Sequence, residues 1–307
     1  METISSHRPK IVVIGSCNTD MVVKANRLPV PGETILGGTF YMNPGGKGAN
    51  QAIAAARLGS EVTFISKIGY DLFGLQALEI YRSEKINTEF IFTDQKSPSG
   101  VALISVDSFG ENSIIVAPGA SRSLSIEDIN KAEEKIKESD IILMQLEVPI
   151  ETVEYAATIA YKYGKKVILN PAPASTLSNS FLKNVHTILP NRIEAEMLSG
   201  IKVMDIESAH RAAKAIGEKG IENVVITLGK DGAYVKEKDT YTMIPAKKVE
   251  TIDTTGAGDV FCGAFSVYLS KGYSLAESVR FANAAAAIAV TRIGAQSAIP
   301  YKREVIL

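Results

Sequence analysis

Short apolar runs alternate with amphipathic stretches along most of this chain. Residues 11–14 form a wholly apolar run after a polar tail, which predicts a buried strand. Residues 48–58 are Ala-rich and closed by Gly59, which predicts a helix with a glycine stop. The alternation continues with strand 62–66, helix 72–82, a charged amphipathic helix 125–138, strand 141–146, helix 150–163 and strand 166–169. Helices over 192–198 and 206–217 precede a strand over 223–228, and two long helices, 257–270 and 275–291, finish the chain. This order predicts an α/β fold, a doubly wound, mostly parallel sheet with helices on both faces.

Two segments break the rhythm. Residues 21–42 are rich in Pro and Gly with β-branched and aromatic residues between, and residues 100–116 read as two alternating strands around Ser108-Phe109-Gly110-Glu111-Asn112. Both read as antiparallel strands outside the main sheet. They predict a small β-sheet lid built from discontinuous segments, about 18–44 and 99–118, of one domain spanning 1–307. At about 150 residues per domain the length would allow two domains, but one α/β domain of this size is ordinary. The mixed-sign charge run 131–138 reads as a solvated helix face.

Composition narrows the chemistry. Apolar residues make up 46% of the 307 positions, ample for a core without a disulfide or metal staple. Lys and Arg number 33 against 34 Asp and Glu, which argues against a nucleic-acid binder. The longest apolar run, 284–290, falls far short of the roughly 20 residues of a membrane helix, so no membrane is expected. The polar residues 1–10 lack the apolar stretch of a signal peptide, and two cysteines, Cys17 and Cys262, make no disulfide framework. A cytoplasmic setting is the expectation. His7, His186 and His210 show no zinc spacing, and no G-x-S-x-G elbow occurs. Gly46-Lys47 is not a Walker A loop, because Tyr41 and Gly48 replace its first Gly and its Ser/Thr. Gly256-Ala257-Gly258 is followed by Phe261 and lies near the C-terminus, which speaks against a dinucleotide fingerprint.

Three constellations remain. In Asn43-Pro44-Gly45-Gly46-Lys47-Gly48-Ala49-Asn50-Gln51, paired glycines open a helix and leave backbone N–H groups free at its positive end. Lys47 and Asn50 share a helix face and can donate to hydroxyls; taken alone, the segment is equally a turn that starts a helix. Asn18 and Asp20 lie just past the first strand, where ligands of doubly wound sheets bind, although an Asx pair there also makes a plain turn. The sharpest is Asp253-Thr254-Thr255-Gly256-Ala257-Gly258-Asp259, a turn feeding a long helix whose amides form an anion site. A carboxylate there can be a mere dipole complement. It makes chemical sense if Asp259 takes a proton from a hydroxyl that attacks a phosphorus held by those amides.

Weaker signals accompany these. The stretch from Thr227 through Gly229 to Gly232 follows a strand and either lines a phosphate or is a plain turn. Asn191 and Glu194 open a helix three apart, where the acid either holds water on Mg²⁺ or caps the helix. Glu147 ends the strand 141–146. Ala284 to Ala287 reads as core, and the cysteines and histidines as structural or incidental.

Together, Gly45-Gly46-Lys47-Gly48-Ala49-Asn50-Gln51-Ala52 and Asp253-Thr254-Thr255-Gly256-Ala257-Gly258-Asp259 resemble the two signatures of the ribokinase (PfkB-type) sugar kinase family. Their order and separation match too, and the similarity runs from Ile11 to about Pro300. Gly15-Ser16-Cys17-Asn18-Thr19-Asp20 and residues 282–296 are similar to the ribose-specific branch more than to fructokinases or adenosine kinases. The resemblance implies ATP-dependent phosphorylation of D-ribose at O5. It implies Asp259 as general base and the Gly256, Ala257 and Gly258 amides as anion hole. Asn18, Asp20, Gly46, Lys47, Asn50 and Glu147 would bind the sugar. Asn191, Thr227, Gly229, Gly258 and Asn283 would serve ATP, with Glu194 near Mg²⁺ through water. A K⁺ ion would be held by Asp253, by carbonyls near Thr255, Ala289, Arg292 and Gly294, and by a hydroxyl side chain. That last position is Ala298 here, with Ser297 beside it. The family also implies a homodimer through the lid.

A family relative acting on deoxyribose, fructose or adenosine is the nearest alternative, since pocket walls are not legible in sequence. A hydride-transfer enzyme lacks its fingerprint. A non-catalytic sugar sensor sits poorly with an intact Asp259 and its glycines.

Overall fold

The computed structural model describes residues 8–307, so His7 and most of the polar N-terminal stretch lie outside the described residues. β1 (Lys10–Ile14) is followed by β2 (Asn18–Lys24), β3 (Thr39–Gly45), α1 (Lys47–Arg57), β4 (Glu61–Gly69), α2 (Leu72–Ser83) and β5 (Ile91–Asp94). Then come β6 (Gly100–Val106), β7 (Asn112–Ala117), α3 (Ile126–Lys131), α4 (Glu133–Glu138), β8 (Ile141–Met144), α5 (Ile150–Lys162), β9 (Lys166–Leu169), α6 (Asn179–Leu182) and β10 (Thr187–Ile188). The chain continues through α7 (Arg192–Ser199), α8 (Ile206–Gly217), β11 (Asn223–Thr227), β12 (Ala233–Glu237), β13 (Thr240–Ile244), α9 (Ala257–Ser270) and α10 (Leu275–Ala289).

The main sheet has nine strands in the order β13-β12-β11-β10-β9-β8-β1-β4-β5. From β11 to β5 the pairing is parallel, and β12 and β13 extend one edge as an antiparallel hairpin. Successive side chains of a strand point to opposite faces. Ile11 and Val13 therefore belong to one buried cluster, with Ala52 of α1 and Phe265 of α9, while Val12 and Ile14 belong to another on the opposite face, with Val153 of α5 and Ala209 of α8. Burial on both faces is why these strands read as unbroken apolar runs.

The second sheet has four strands in the order β3-β2-β6-β7. Each hairpin is antiparallel as expected, but β2 and β6 pair in parallel, from Asn18 opposite Gly100 to Lys24 opposite Val106. Both strands leave the main sheet in the same direction, one after β1 and one after β5, so they run side by side.

Other expectations need adjusting. The helix over 125–138 is two helices. At Ala132 the backbone tightens to i→i−3 bonds, which keeps Ile129, Ala132 and Ile136 all on the buried side. α10 stops at Ala289, before Thr291, and β8 ends at Met144, so Glu147 lies beyond the strand. β5, β10, β12 and β13 were not legible, being very short or only partly buried.

α1 and α9 pack unusually closely because Gly263 has no side chain. A Cβ there would stand 2.6 Å from the Ala54 Cβ and 3.0 Å from the Gln51 carbonyl oxygen. This contact sets the distance between the two Gly-rich motifs. Among the described residues no helix is long and apolar enough to cross a membrane.

Candidate active site

The site lies beyond the carboxyl ends of the parallel strands, where such sheets bind ligands. α1 begins at Gly46, whose φ of 91° suits glycine, and a Cβ there would meet Asn18 N at 2.8 Å. Glu147 anchors this start. Its carboxylate accepts from the Lys47 N–H at 2.9 Å and from the Ser16 hydroxyl, and lies 3.9 Å from Lys47 Nζ. Asp20 fills the space beside Gly45 that any side chain there would take.

α9 begins at Gly256, with a φ of 72° and no side-chain cap, so the first-turn amides are left for a ligand. The Ala257 N–H is an exception among the expected anion-hole donors, donating back to Thr254 O at 3.2 Å. Asp259, in that first turn, is buried and accepts from Asn50 Nδ2 and Gln51 Nε2, each at 2.9 Å.

Two cavities flank this turn. The smaller is lined by Lys47, Asn170, Asn191, Glu194, Asp259 and Cys262, among others. The larger, of about 850 Å³, runs past Gly229, Lys247, Lys248, Phe261, Asn283 and Ala287. Thr227 and Gly258 line both. The volume falls in the range of small-molecule and cofactor sites.

The electrostatics follow from burial. Burial pushes the Asp259 carboxyl above its ordinary range, opposed by the Lys47 charge and the two amide donors. Burial also raises Asp20, with the nearby Glu147 charge adding, to about 6. Burial works against the Lys47 ammonium, yet the carboxylates of Asp259, Glu147 and Glu194 hold its pKa above the usual value. Burial raises Glu194, partly offset by the Asn191 N–H it accepts.

Asn191 and Glu194 form a capping box on α7, with Glu194 accepting from Asn191 N at 2.8 Å and Nδ2 at 2.9 Å. Both residues nonetheless line the smaller cavity. Asn283 donates to Pro245 O at 3.2 Å at the rim of the larger one. Asp253 accepts from the Thr255 N–H and hydroxyl at 2.9 and 2.7 Å and from Gly294 N at 2.9 Å, so these three residues come together in one loop cluster. The Ala289 carbonyl accepts from Arg292 N at 3.0 Å, and the Arg292 side chain turns away to Glu304. Ala298 is buried and contributes no side-chain oxygen, while the Ser297 hydroxyl donates to Ile293 O at 2.8 Å.

Sequence reasoning missed Gln51, Asn170, Leu189, the lysine pair Lys247-Lys248, and the lining role of Cys262, Ala286 and Ala287. Asn170 directly follows β9, the signal that singled out Asn18. The others carry no local mark. Cys17 is structural, its buried thiol 2.8 Å from the Tyr81 hydroxyl and pushed by burial up to about 11.

The profile of the pfkB family carbohydrate kinases matches residues 8–302. A ribokinase of Haemophilus influenzae is 46% identical over 299 residues, covering 97% of this chain and 98% of that protein. A deoxyribokinase of Salmonella typhi is 38% identical over 291 residues, covering 94% and 95%. The solved structure of Arabidopsis thaliana ribokinase complexed with ribose and ATP superposes with a TM-score of 0.90 at 31% identity, covering 97% and 98%. The chain belongs to the pfkB family of carbohydrate kinases.

Proposed function

We propose that this kinase transfers the γ-phosphoryl group of ATP to the 5-hydroxyl of D-ribose, giving D-ribose 5-phosphate and ADP. The observation that carries the reading is the place of Asp259. Its carboxylate lines the smaller, polar cavity at the turn where the larger cavity begins, beside the uncapped start of α9. The similarity to ribokinases supports ribose as the acceptor. Deoxyribose is the second reading, on the likeness to a deoxyribokinase.

In this reading Asn18, Asp20, Gly46, Lys47, Asn50 and Glu147 hold the sugar, with Asp20 accepting from hydroxyls and Lys47 and Asn50 donating. Asp259 takes the O5 proton while the O5–phosphorus bond forms and the bond to the β,γ-bridging oxygen breaks, its electrons leaving with ADP. The amides at the start of α9 and the Lys47 ammonium meet the charge that develops on the transferred group. Thr227, Gly229, Gly258 and Asn283 serve ATP in the larger cavity, and Asn191 serves it from the wall of the smaller one.

Among the described residues no cluster of His, Cys, Asp and Glu could hold a metal ion by itself. A Mg²⁺ ion would therefore take most of its oxygens from phosphates and water, and Glu194 retains lone pairs for such a water. The Asp253, Thr255 and Gly294 cluster, with one carboxylate among neutral groups, fits a monovalent cation such as K⁺. When bound, Mg²⁺ screens phosphate charge and K⁺ stiffens the turn that presents the amides.

We read the chain as one domain whose small sheet is a lid that closes over the sugar and excludes water. On the lid face opposite Asp20, Met42, Leu103 and Ile115 lie in one cross-strand row beside Phe40 and Val23, all of them exposed. Such an apolar patch suits a second copy of this chain, making a homodimer. A cytoplasmic setting suits two buried, unpaired cysteines. ADP release measured with ribose, 2-deoxyribose, fructose, adenosine and no acceptor tests the reading. Ribose should give the highest kcat/KM, and preference for another acceptor would replace it.

A further inference from the structure

Three buried amide side chains stand behind Asp259 in an otherwise apolar layer. Gln51 Nε2 donates to Asp259 Oδ1 at 2.9 Å and to Asn170 Oδ1 at 3.1 Å. Gln51 Oε1 accepts from Gln145 Nε2, and Asn170 Nδ2 donates to Leu189 O at 3.0 Å. Gln51 and Gln145 have no exposed surface at all. Gly15 leaves room for this arrangement, since a Cβ there would stand 2.1 Å from Gln145 Oε1.

Burying amides in place of apolar side chains is costly unless each is satisfied, so a network of this kind sets one arrangement over others. An amide carries two N–H donors and one carbonyl acceptor. Both Gln51 donors and its acceptor are used; the Asp259 carboxylate and the Asn170 carbonyl oxygen, the latter fixed by the bond from Asn170 Nδ2 to Leu189 O, enforce the same orientation. Turning the Gln51 amide over would set its oxygen against the Asp259 carboxylate and its NH₂ against the NH₂ of Gln145.

We infer that Gln51 is a positioning residue for the base: it holds Asp259 Oδ1 from the core side and leaves Oδ2, the oxygen beside Asn50, to receive the substrate proton. Asn170, anchored on Leu189 O, keeps Gln51 in that orientation, and Gln145 Nε2 satisfies its carbonyl oxygen. The inference rests on Asp259 being the base of the proposed reaction. Loss of the amide would let the carboxylate rotate away from its approach to the hydroxyl. A small misplacement of a reacting group costs up to about 10²-fold in rate.

The test is steady-state kinetics of Gln51→Met and Gln145→Met across pH, with Asp259→Asn as control. The near-isosteric Gln51→Met should lower kcat about ten- to a hundredfold while both KM values stay within about twofold. The acid limb of its kcat profile should move to higher pH, because the ionised Asp259 loses a donor. The other titratable groups around Asp259 are Lys47 on α1, Glu147 beyond β8, Glu194 on α7, Asp20 on β2 and the Cys262 thiol on α9, and none of them is altered. Gln145→Met, one bond further from the base, should move both readouts the same way by less, and it decides the matter if Gln51→Met does not fold. Wild-type kcat and acid limb in Gln51→Met, whatever its melting temperature, beside an inactive Asp259→Asn, would overturn the role of Gln51 alone. A fully active Asp259→Asn would remove the base and this inference with it.

Discussion

Asn50 Nδ2 donates to Asp259 Oδ2 over 2.9 Å, joining motifs 209 residues apart in the chain. The bond puts a side chain read as a sugar ligand directly on the side chain read as the base. It exists because α1 and α9 approach at Gly263, one turn beyond Asp259.

Asp259→Asn should keep the fold and the affinity for ATP yet lose turnover by about 10²–10⁴, the usual worth of a general base. The side chain is isosteric but cannot accept a proton at neutral pH. Coupled ADP release from the purified variant measures it; more than about a tenth of wild-type activity would exclude Asp259 as the base.

Sugar affinity should depend on pH through Asp20. Its carboxyl, raised to about 6, is ionised above that pH and accepts from hydroxyls; below it, protonation removes an acceptor. The KM for ribose should therefore be flat near pH 8 and rise as pH falls through about 6. Asp20→Asn should flatten this dependence and raise KM by about 10- to 150-fold, the cost of charged hydrogen bonds. A pH-dependent KM persisting in Asp20→Asn would assign the titration to another group.

The helix contact gives a stability test. In Gly263→Ala the new methyl would sit 2.6 Å from Ala54 Cβ, so α1 and α9 must separate. Overpacking of this kind costs about 1–3 kcal/mol. Thermal unfolding should show it, and kcat should fall because Asn50 and Gln51 move away from Asp259. Adding Ala54→Gly should restore kcat even though glycine in a helix costs about 1 kcal/mol. Unchanged kcat in Gly263→Ala would show that the spacing of the helices does not set the site.

The loop cluster at Asp253 should respond to the monovalent ion. K⁺ should raise activity over Na⁺ at equal ionic strength and raise the melting temperature, and Asp253→Ala should lose both responses. Ala298→Ser, supplying a hydroxyl in a position that has none, should lower the K⁺ concentration needed. Full activity in tetramethylammonium buffer without K⁺ would show that the turn is rigid without an ion.

Much of this was legible in the chain itself, because it depends on local rules. Apolar runs such as 11–14 and 224–226 mark strands buried on both faces, and Gly256 before α9 marks an uncapped helix start that offers amides to an anion. The two glycine-rich motifs disclosed the family, because each is a short unbroken stretch whose residue types, order and separation can be read without the fold. Tertiary structure decided what depends on approach between distant segments. Nothing near Gln51 marks it as a partner of Asp259, since the bond needs α1 and α9 in contact at Gly263. The parallel pairing of β2 with β6 came from where the two hairpins leave the main sheet, not from their own alternation. The elevated Asp20 carboxyl arises from burial beside Glu147, a residue 127 positions away that the fold alone brings near. Periodicity and turn chemistry are carried by neighbours in sequence, whereas desolvation, charge proximity and helix spacing are properties of the folded volume.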